Sequence, residues 1–567
     1  MNDNNRNMIL AIVLSMIVLI GWTFLSSHFL PVANKPTVEY KDGKAIALPQ
    51  PHADPTADTP RAMRARAVVL AETPRIPIET PYLHGSINLK GGRIDDLVLS
   101  TYKETLAKKS PPIRLLSPGG APDAYFAGFG WIGQGVQVPY SGTVWTTTAK
   151  ALTPTSPVTL GWDNGQGQRF EMTLAVDNRY MFTVTQRVIN AGTAAAVVSP
   201  RALVSRTGVS KDPDTWTIHT GPIGTFNGVT DYDVNFKDLT VGGEAHRMSS
   251  TGGWIGFTDK YWLTALAPDP HAAVTASFAG LPGDQYLADV TMPLQAIAPG
   301  GTASSTTRLF AGAKEVKLLK DYQDRLGITW LTRAIDWGWF EIIEKPIFYL
   351  LAWLFHVTGN FGVAIILLTI IVRGLMFPIA QRQFVSMGKM RTMQPRMKAL
   401  QEQHKNDKAK LQQEMMAMYQ REKINPLGGC LPIFLQIPIF YALYKALMLT
   451  TEMRHQPFIF WIKDLSAPDT LTPLNLFGLL PFTPPHFIAI GVLPILLGIT
   501  MYVQQKLNPA PMDETQKQVF AIMPWLFMFI MAPFAAGLQL YWVISNLLTI
   551  GQQSWLYSRD PSLKPAK

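Results

Sequence analysis

The chain has 567 residues, 47% of them hydrophobic and only 16% charged, with a formal net charge of +10. That balance places it first in the membrane class, and its single cysteine, Cys430, excludes an intrachain disulfide. A charge of +10 could suggest nucleic acid, but the excess is local: ten Lys or Arg against four Asp or Glu lie between Arg382 and Lys423.

Apolar residues run from Met8 to Leu25, long enough to cross a bilayer core and with no small-x-small cleavage signal close behind. Residues 1–30 are therefore expected to form an uncleaved signal-anchor span. Residues 31–77, rich in Pro, Ala, Asp and Thr as in "LPQPHADPTADTP", lack an apolar period and are expected to be a flexible tether. From 78 to 312 the pattern becomes short alternating runs between Gly, Pro, Asn and Asp, such as "YMFTVTQRVINAG", which predicts an all-β sandwich. "GFGWIG", Gly128 to Gly133, has the spacing of a dinucleotide fingerprint, but "QGVQVPYSG" after it will not open a helix. No G-x-S-x-G, H-E-x-x-H or Cys and His cluster accompanies it, so no cofactor or metal is expected. A pair of carboxylates working on a glycoside is not detectable by spacing alone.

Residues 313–349 return to helical periodicity. "TWLTRAIDWGWFEIIEKPIFYLLAWLF" mixes Trp, Phe and Ile with charged residues, which suits a helix lying in the membrane interface; a helix packed beneath the β domain has the same pattern. Residues 350–555 then hold five further apolar runs, near 350–377, 431–449, 487–504, 519–532 and 535–555. "APFAAG" joins the last two as a tight hairpin.

The expected architecture is a multi-span α-helical membrane protein with six spans, carrying an all-β periplasmic sandwich. Lys and Arg set its orientation. The basic segment and the tail 556–567 read as cytoplasmic, the loop 451–485 as external, and with six spans the N-terminus is cytoplasmic and the β domain lies on the far face.

Within the basic segment, residues 381–424, Met390, Met393, Met397 and Leu400 recur at helical spacing, as do Leu411, Met415 and Met418 after "HKND". This predicts a cytoplasmic helical hairpin. It is either a solvated arm that satisfies the positive-inside rule, or a contact surface combining adaptable methionines with a basic exterior that attracts lipid or RNA.

"AIILLTIIVRGLMFPI" sets Arg373 inside an apolar span. An arginine at the bilayer centre costs about 2.5–3.5 kcal/mol on insertion scales, less if it snorkels to headgroups. Snorkelling is one explanation. A polar groove is the other, because Thr369 lies one turn away, Gln436 sits in "CLPIFLQIPIF", and Gln539, Trp542 and Asn546 share a face of the last span. No acidic residue occupies a span core, so water, lipid phosphate or an incoming substrate is left as the partner.

These residues carry a resemblance. "GNFGVAIILLTIIVRGLMFPI", "KMRTMQP", "NPLGGCLPIFLQIPIFYALYKAL", "PFIFWIKDLS" and "GLQLYWVISNLLTIGQQ" resemble, in order, the YidC/Oxa/Alb family of membrane protein insertases, over about 336–553. "GGRIDDLVLSTY" resembles the start of the periplasmic domain of its Gram-negative members. The resemblance implies a bacterial inner-membrane protein with a five-helix core around a hydrophilic groove, open to cytoplasm and lipid and closed toward the periplasm. It places the groove arginine at Arg373 and groove positions at Gln436 and around Tyr541 and Trp542, although the family motif often has two tyrosines there. It implies nascent membrane proteins as clients, contact with Sec translocon subunits, ribosome contact through 506–517 and the tail, and a functional monomer. Three other classes stand beside this reading: a small-solute transporter, which wants inverted repeats and an intramembrane acid; an intramembrane hydrolase, which wants partners for His356 or His486; and a structural anchor for the β domain.

Overall fold

The computed structural model describes residues 63–559 apart from 213–217, 244, 339, 405–406, 422–430, 478, 481–489 and 508–513, together with 40–41 and 44–45. The expected anchor 1–30, most of the tether, Cys430, His486, much of the 506–517 connection, the tail beyond Arg559 and the side chain of Met390 lie outside the described residues. By contacts the chain divides into residues 1–55 and 56–567. In the first unit Tyr40–Lys41 pairs antiparallel with Lys44–Ala45.

In the second unit two antiparallel sheets face each other, as alternating burial requires. In Gln168–Val176 the residues Phe170, Met172, Leu174 and Val176 are buried while Arg169 points outward. One sheet runs in spatial order Val229–Asp231, Gly221–Phe226, Trp254–Thr258, Trp262–Pro268, Thr302–Ala313, Met181–Asn190, Gln168–Val176 and Val158–Asp163. The other runs His246–Thr251, Ala273–Leu281, Gln285–Thr291, Ala196–Thr207, Tyr125–Gln134, Arg93–Lys103, Leu83–Asn88 and Arg75–Glu79, with Gln295–Ile297 and Pro112–Leu116 paired beside it. Trp131, Trp145, Phe170, Phe182 and Phe310 fill the space between them. The stretch Gly128–Gly133 lies in the strand Tyr125–Gln134, so no helix opens behind its glycines.

The sandwich starts earlier than composition suggested. A short helix, α1 (Arg66–Ala71), and the strand Arg75–Glu79 occupy the end of the stretch read as tether. Pro77 is tolerated because Arg75–Glu79 is the edge of its sheet, where a missing N–H leaves no central ladder bond unmade. Beyond the sandwich, α2 (Val316–Leu326) buries Val316, Leu319 and Tyr322, and the Tyr322 hydroxyl donates to Asp177 Oδ2 at 2.5 Å.

Two helices replace the single span expected to begin near Leu350. The first, α3 (Glu341–Thr358), ends at Gly359, whose φ of 67° closes a left-handed C-cap. The second, α4 (Phe361–Thr392), has 32 residues and is therefore about 48 Å long, well beyond a hydrocarbon core of about 30 Å. It continues through Pro378 into the first part of the expected hairpin. The hairpin is completed by α5 (Gln394–Gln403) and α6 (Lys408–Arg421). Then come α7 (Leu431–Leu449), α8 (Val492–Leu507), α9 (Glu514–Met531) and α10 (Ala536–Arg559). Among the described residues, Phe361–Gln381 is the stretch long and apolar enough to cross a bilayer by itself; Gln436–Leu449, Val492–Leu507 and Gln518–Met531 are shorter apolar helices.

The helix α3 packs against the rest of the fold along one face. Ile347, Phe348, Leu351 and Leu354 form a buried face, Phe348 joining the core beneath the sandwich and the other three the helical core. Ile342, Tyr349, Trp353 and Val357 form an exposed apolar face on the other side.

Candidate groove among the helices

Arg373 lies just past the middle of Phe361–Gln381, the apolar stretch of α4, partly buried against α10. Its Nε donates to Ser545 Oγ at 2.9 Å and its Nη2 donates to the same oxygen. One hydroxyl thus accepts from two of five guanidinium donors, and among the described residues no carboxylate pairs with it. Ser545 is completely buried and holds Thr549 through its own carbonyl, 2.8 Å from Thr549 Oγ1.

One turn before Ser545, Tyr541 is buried on the same face, and its hydroxyl accepts from Gln436 Nε2 of α7. Gln436, Tyr541, Ser545 and Arg373 are therefore linked across three helices. Trp542 points to the neighbouring side, packed between Phe440 at 4.4 Å and Phe527 at 4.7 Å between ring centres. Here a Trp supplies an indole face where a Tyr would bring a hydroxyl.

The remaining polar positions are used differently. Thr369 is buried and bonds back to Ile365 O of its own helix at 2.7 Å. Asn546 donates to Thr500 Oγ1 of α8 at 3.1 Å, locking α10 to α8. Gln539 donates to the carbonyls of Met531 and Phe534 at 2.9 and 2.8 Å, which fixes the turn between α9 and α10. Ser545 escaped the sequence reading. Its signal was available, since it stands four residues after Tyr541 and so shares its face.

In the hairpin, Met393 and Met397 are buried with Tyr419, and Met415 and Met418 pack beside them. The methionines close the hairpin on itself, and the cluster shares no residue with the other cores. Arg396, Lys410 and Arg421 are exposed around it. Among the described residues no group of three or more His, Cys, Asp or Glu is placed to hold a metal ion.

A helical membrane region with a polar seam at one arginine, attached to a β-sandwich, defines a class of polytopic membrane protein with a large extramembrane domain. Residues 75–350 match the family model described as YidC periplasmic domain, and residues 353–562 match 60Kd inner membrane protein. A protein of Zymomonas mobilis subsp. mobilis named "Membrane protein insertase YidC" is 49% identical over 98% of this chain and 95% of its own. One of the same name from Beijerinckia indica subsp. indica is 43% identical over 99% and 96%. A solved structure described as "Active YidC insertase crystal structure with the first transmembrane domain resolved" is 18% identical, with a TM-score of 0.37 over 86% of this chain and 97% of that one. The chain belongs to the YidC family of membrane protein insertases. It is an inner-membrane protein whose β-sandwich is the family's periplasmic domain.

Proposed function

We propose that this protein is a membrane protein insertase and foldase, acting on nascent membrane proteins without catalysing a covalent reaction. The names of its relatives support the activity; one structural observation supports the mechanism. Arg373 stands in an apolar helix and, among the described residues, has a single hydroxyl as hydrogen-bonding side-chain partner, so donors remain for a carboxylate or carbonyl of a client. A hydrophilic segment loses hydration on entering hydrocarbon, and a polar seam partway across shortens the dry path. Burial of the client's apolar segment, at about 25 cal/mol per Å² removed from water, then drives release into lipid without a nucleotide.

In this reading Arg373, Gln436, Tyr541, Trp542, Thr369 and Asn546 line or brace the groove. Six spans put both termini in the cytoplasm and the β domain in the periplasm. The hairpin meets clients or lipid, its methionines only once it opens, and its exposed cations face anionic headgroups. Sec subunits, the ribosome at the 506–517 connection and tail, and function as a monomer belong to the same reading.

The test is complementation of an insertase-depleted bacterium by the parent, Arg373→Ala and Arg373→Lys at matched expression, with insertion of a short acidic-tailed client followed by protease protection. Loss with Ala and retention with Lys is the expected result. Full insertion by Arg373→Ala would reduce Arg373 to a snorkelling anchor, and indifference of every client would favour a structural anchor for the β domain.

A further inference from the structure

The connection between α7 and α8 carries an apolar rim that the groove does not use. Ile459, Phe460, Leu474, Leu476, Phe477 and Leu479 are exposed there, Phe460 to 87% and Leu479 to 82%. Scattered exposed apolar residues are ordinary, but six large ones within one connection mark a contact surface. The backbone presents them at a cost: Phe460, Leu476 and Phe477 have φ of 54°, 49° and 59°, a region that bulky L residues avoid.

A rigid base sustains that conformation. The Asp469 carboxylate accepts from Trp461 Nε1 at 3.1 Å and from the backbone N–H groups of Leu471 and Leu493 at 3.0 and 2.8 Å. Phe458 N donates to Ile462 O, and Leu465 N to Gln456 O, both at 2.9 Å. Phe458 lies so close to Gly362 at the start of α4 that a Cβ there would fall 1.9 Å from its ring.

Polar groups of the same connection are spent elsewhere. Arg454 donates to the carbonyls of Lys103 and Glu104 in the sandwich and lies over the rings of Tyr261 and Trp262. Asp464 accepts from Ser466 and faces His455. The connection is thus two-sided, with Arg454 used at the sandwich and the apolar tips exposed. Lys463 is exposed beside Phe460 and Trp461, the mixture of cation and aromatic that favours headgroup depth.

We propose that Phe460, Leu476, Phe477 and Leu479 insert into the acyl region of the periplasmic leaflet, with Lys463 at its headgroups. The occupant is lipid because the rim belongs to the connection between two helices of the membrane region, and that connection meets the chain just after α3, where Asn360 donates to Phe458 O at 3.3 Å and α3 itself exposes Trp353 and Val357. This rests on the orientation proposed above. The loop then anchors the periplasmic mouth of the helix bundle and holds the sandwich, through Arg454, at a fixed height over the membrane.

The test uses the full chain carrying Cys430→Ser and one new cysteine, Phe460→Cys, Leu479→Cys or Arg247→Cys, the last on the exposed sandwich surface. Each is labelled with an environment-sensitive fluorophore in vesicles of phosphatidylethanolamine and phosphatidylglycerol, and quenched by acyl-chain nitroxide lipid or aqueous iodide. Lipid quenching several-fold stronger at 460 and 479 than at 247 is expected. Iodide quenching at 460 and 479 equal to that at 247 overturns the inference. Protection from iodide without lipid quenching also overturns it, because the cover is then protein. Labelling of Arg247→Cys in intact cells by an impermeant maleimide checks the orientation separately: if it fails, the topology is wrong, whatever the depth of the loop.

Discussion

Replacing Lys445 by Met should destabilise the junction between sandwich and helices by about 3 kcal/mol. Lys445 is buried on α7 and donates from Nζ to Asp336 O at 2.8 Å and to Asp336 Oδ2 at 3.3 Å. Removing one partner of a buried pair costs about 3–5 kcal/mol because the other charge is left uncompensated. Asp336 keeps 26% of its side chain exposed, against 1% for Lys445, so water can partly take the cation's place and the lower end applies. The carbonyl bond, worth about 1.5–3 kcal/mol for a charged donor, is part of that sum. The double variant Lys445→Met with Asp336→Asn removes both charges and should recover most of the loss.

Glu344 makes the same junction pH-dependent. On the buried face of α3 it is fully buried, and neither carboxylate oxygen accepts a hydrogen bond among the described residues. Burial pushes its pKa up to about 8; Lys445 opposes the shift, and Asp336 and Glu341 reinforce it. With the folded pKa above the usual 4.5, the folded state holds a proton that the unfolded chain releases. The stabilisation is full below about 4.5 and is lost as pH rises toward 8. Glu344→Gln should flatten that slope without abolishing it, since Glu452, pushed to about 7 by burial, titrates in the same window. Lys445→Met should extend the slope to higher pH. Equilibrium unfolding in mixed micelles, driven by sodium dodecyl sulfate and read by tryptophan fluorescence at pH 5 to 9, measures each effect. A Lys445→Met protein within about 0.5 kcal/mol of the parent, a deficit no larger than a surface change gives, would refute the reasoning.

Met397→Ala should cost the hairpin about 2–5 kcal/mol as a buried large-to-small change, and the loss should stay local because its cluster is separate from the other cores. Hydrogen exchange should accelerate across α5 and α6 and remain unchanged in the sandwich; acceleration in both would deny the hairpin its independence. Gly312→Ala should destabilise the sandwich by about 1–3 kcal/mol, because a Cβ would lie 2.2 Å from Cγ of buried Tyr180. A melting temperature equal to the parent's would show that Tyr180 yields freely.

The sandwich was legible wherever one face meets the core, as in "QRFEMTLAV", because burial on alternate residues is written directly into the sequence. Its order was not, since placing Gln295–Ile297 on Ala196–Thr207 depends on partners about a hundred residues apart. Hydropathy ran α3 and α4 together because both are apolar, and only "TGN" marked the left-handed cap between them. The end of the tether was misplaced by Pro77, a residue that breaks a central strand but not an edge. At the groove, Arg373 was conspicuous as a charge in an apolar run; Ser545 was not, because a serine is common in a span and its significance comes from its partner.

Helix packing says which seam could admit a client. Among the described residues α10 packs closely with α4 and α8, and α3 with α4 and α7, while α7 meets α4 and α10 only lightly. Side-chain links across the light seam include the Gln436–Tyr541 hydrogen bond, worth about 1 kcal/mol, and the Phe440–Trp542 pair, worth about 0.5–1.5 kcal/mol beyond its buried area. Parting α7 from α10 therefore costs little and uncovers Tyr541 beside Ser545 and Arg373. Parting α7 from the segment that leads into α3 would instead strip the buried Lys445 of Asp336, at about 3 kcal/mol. On the proposed function the groove opens at its α7 side, hinged on the charged junction at the far end of the same helix.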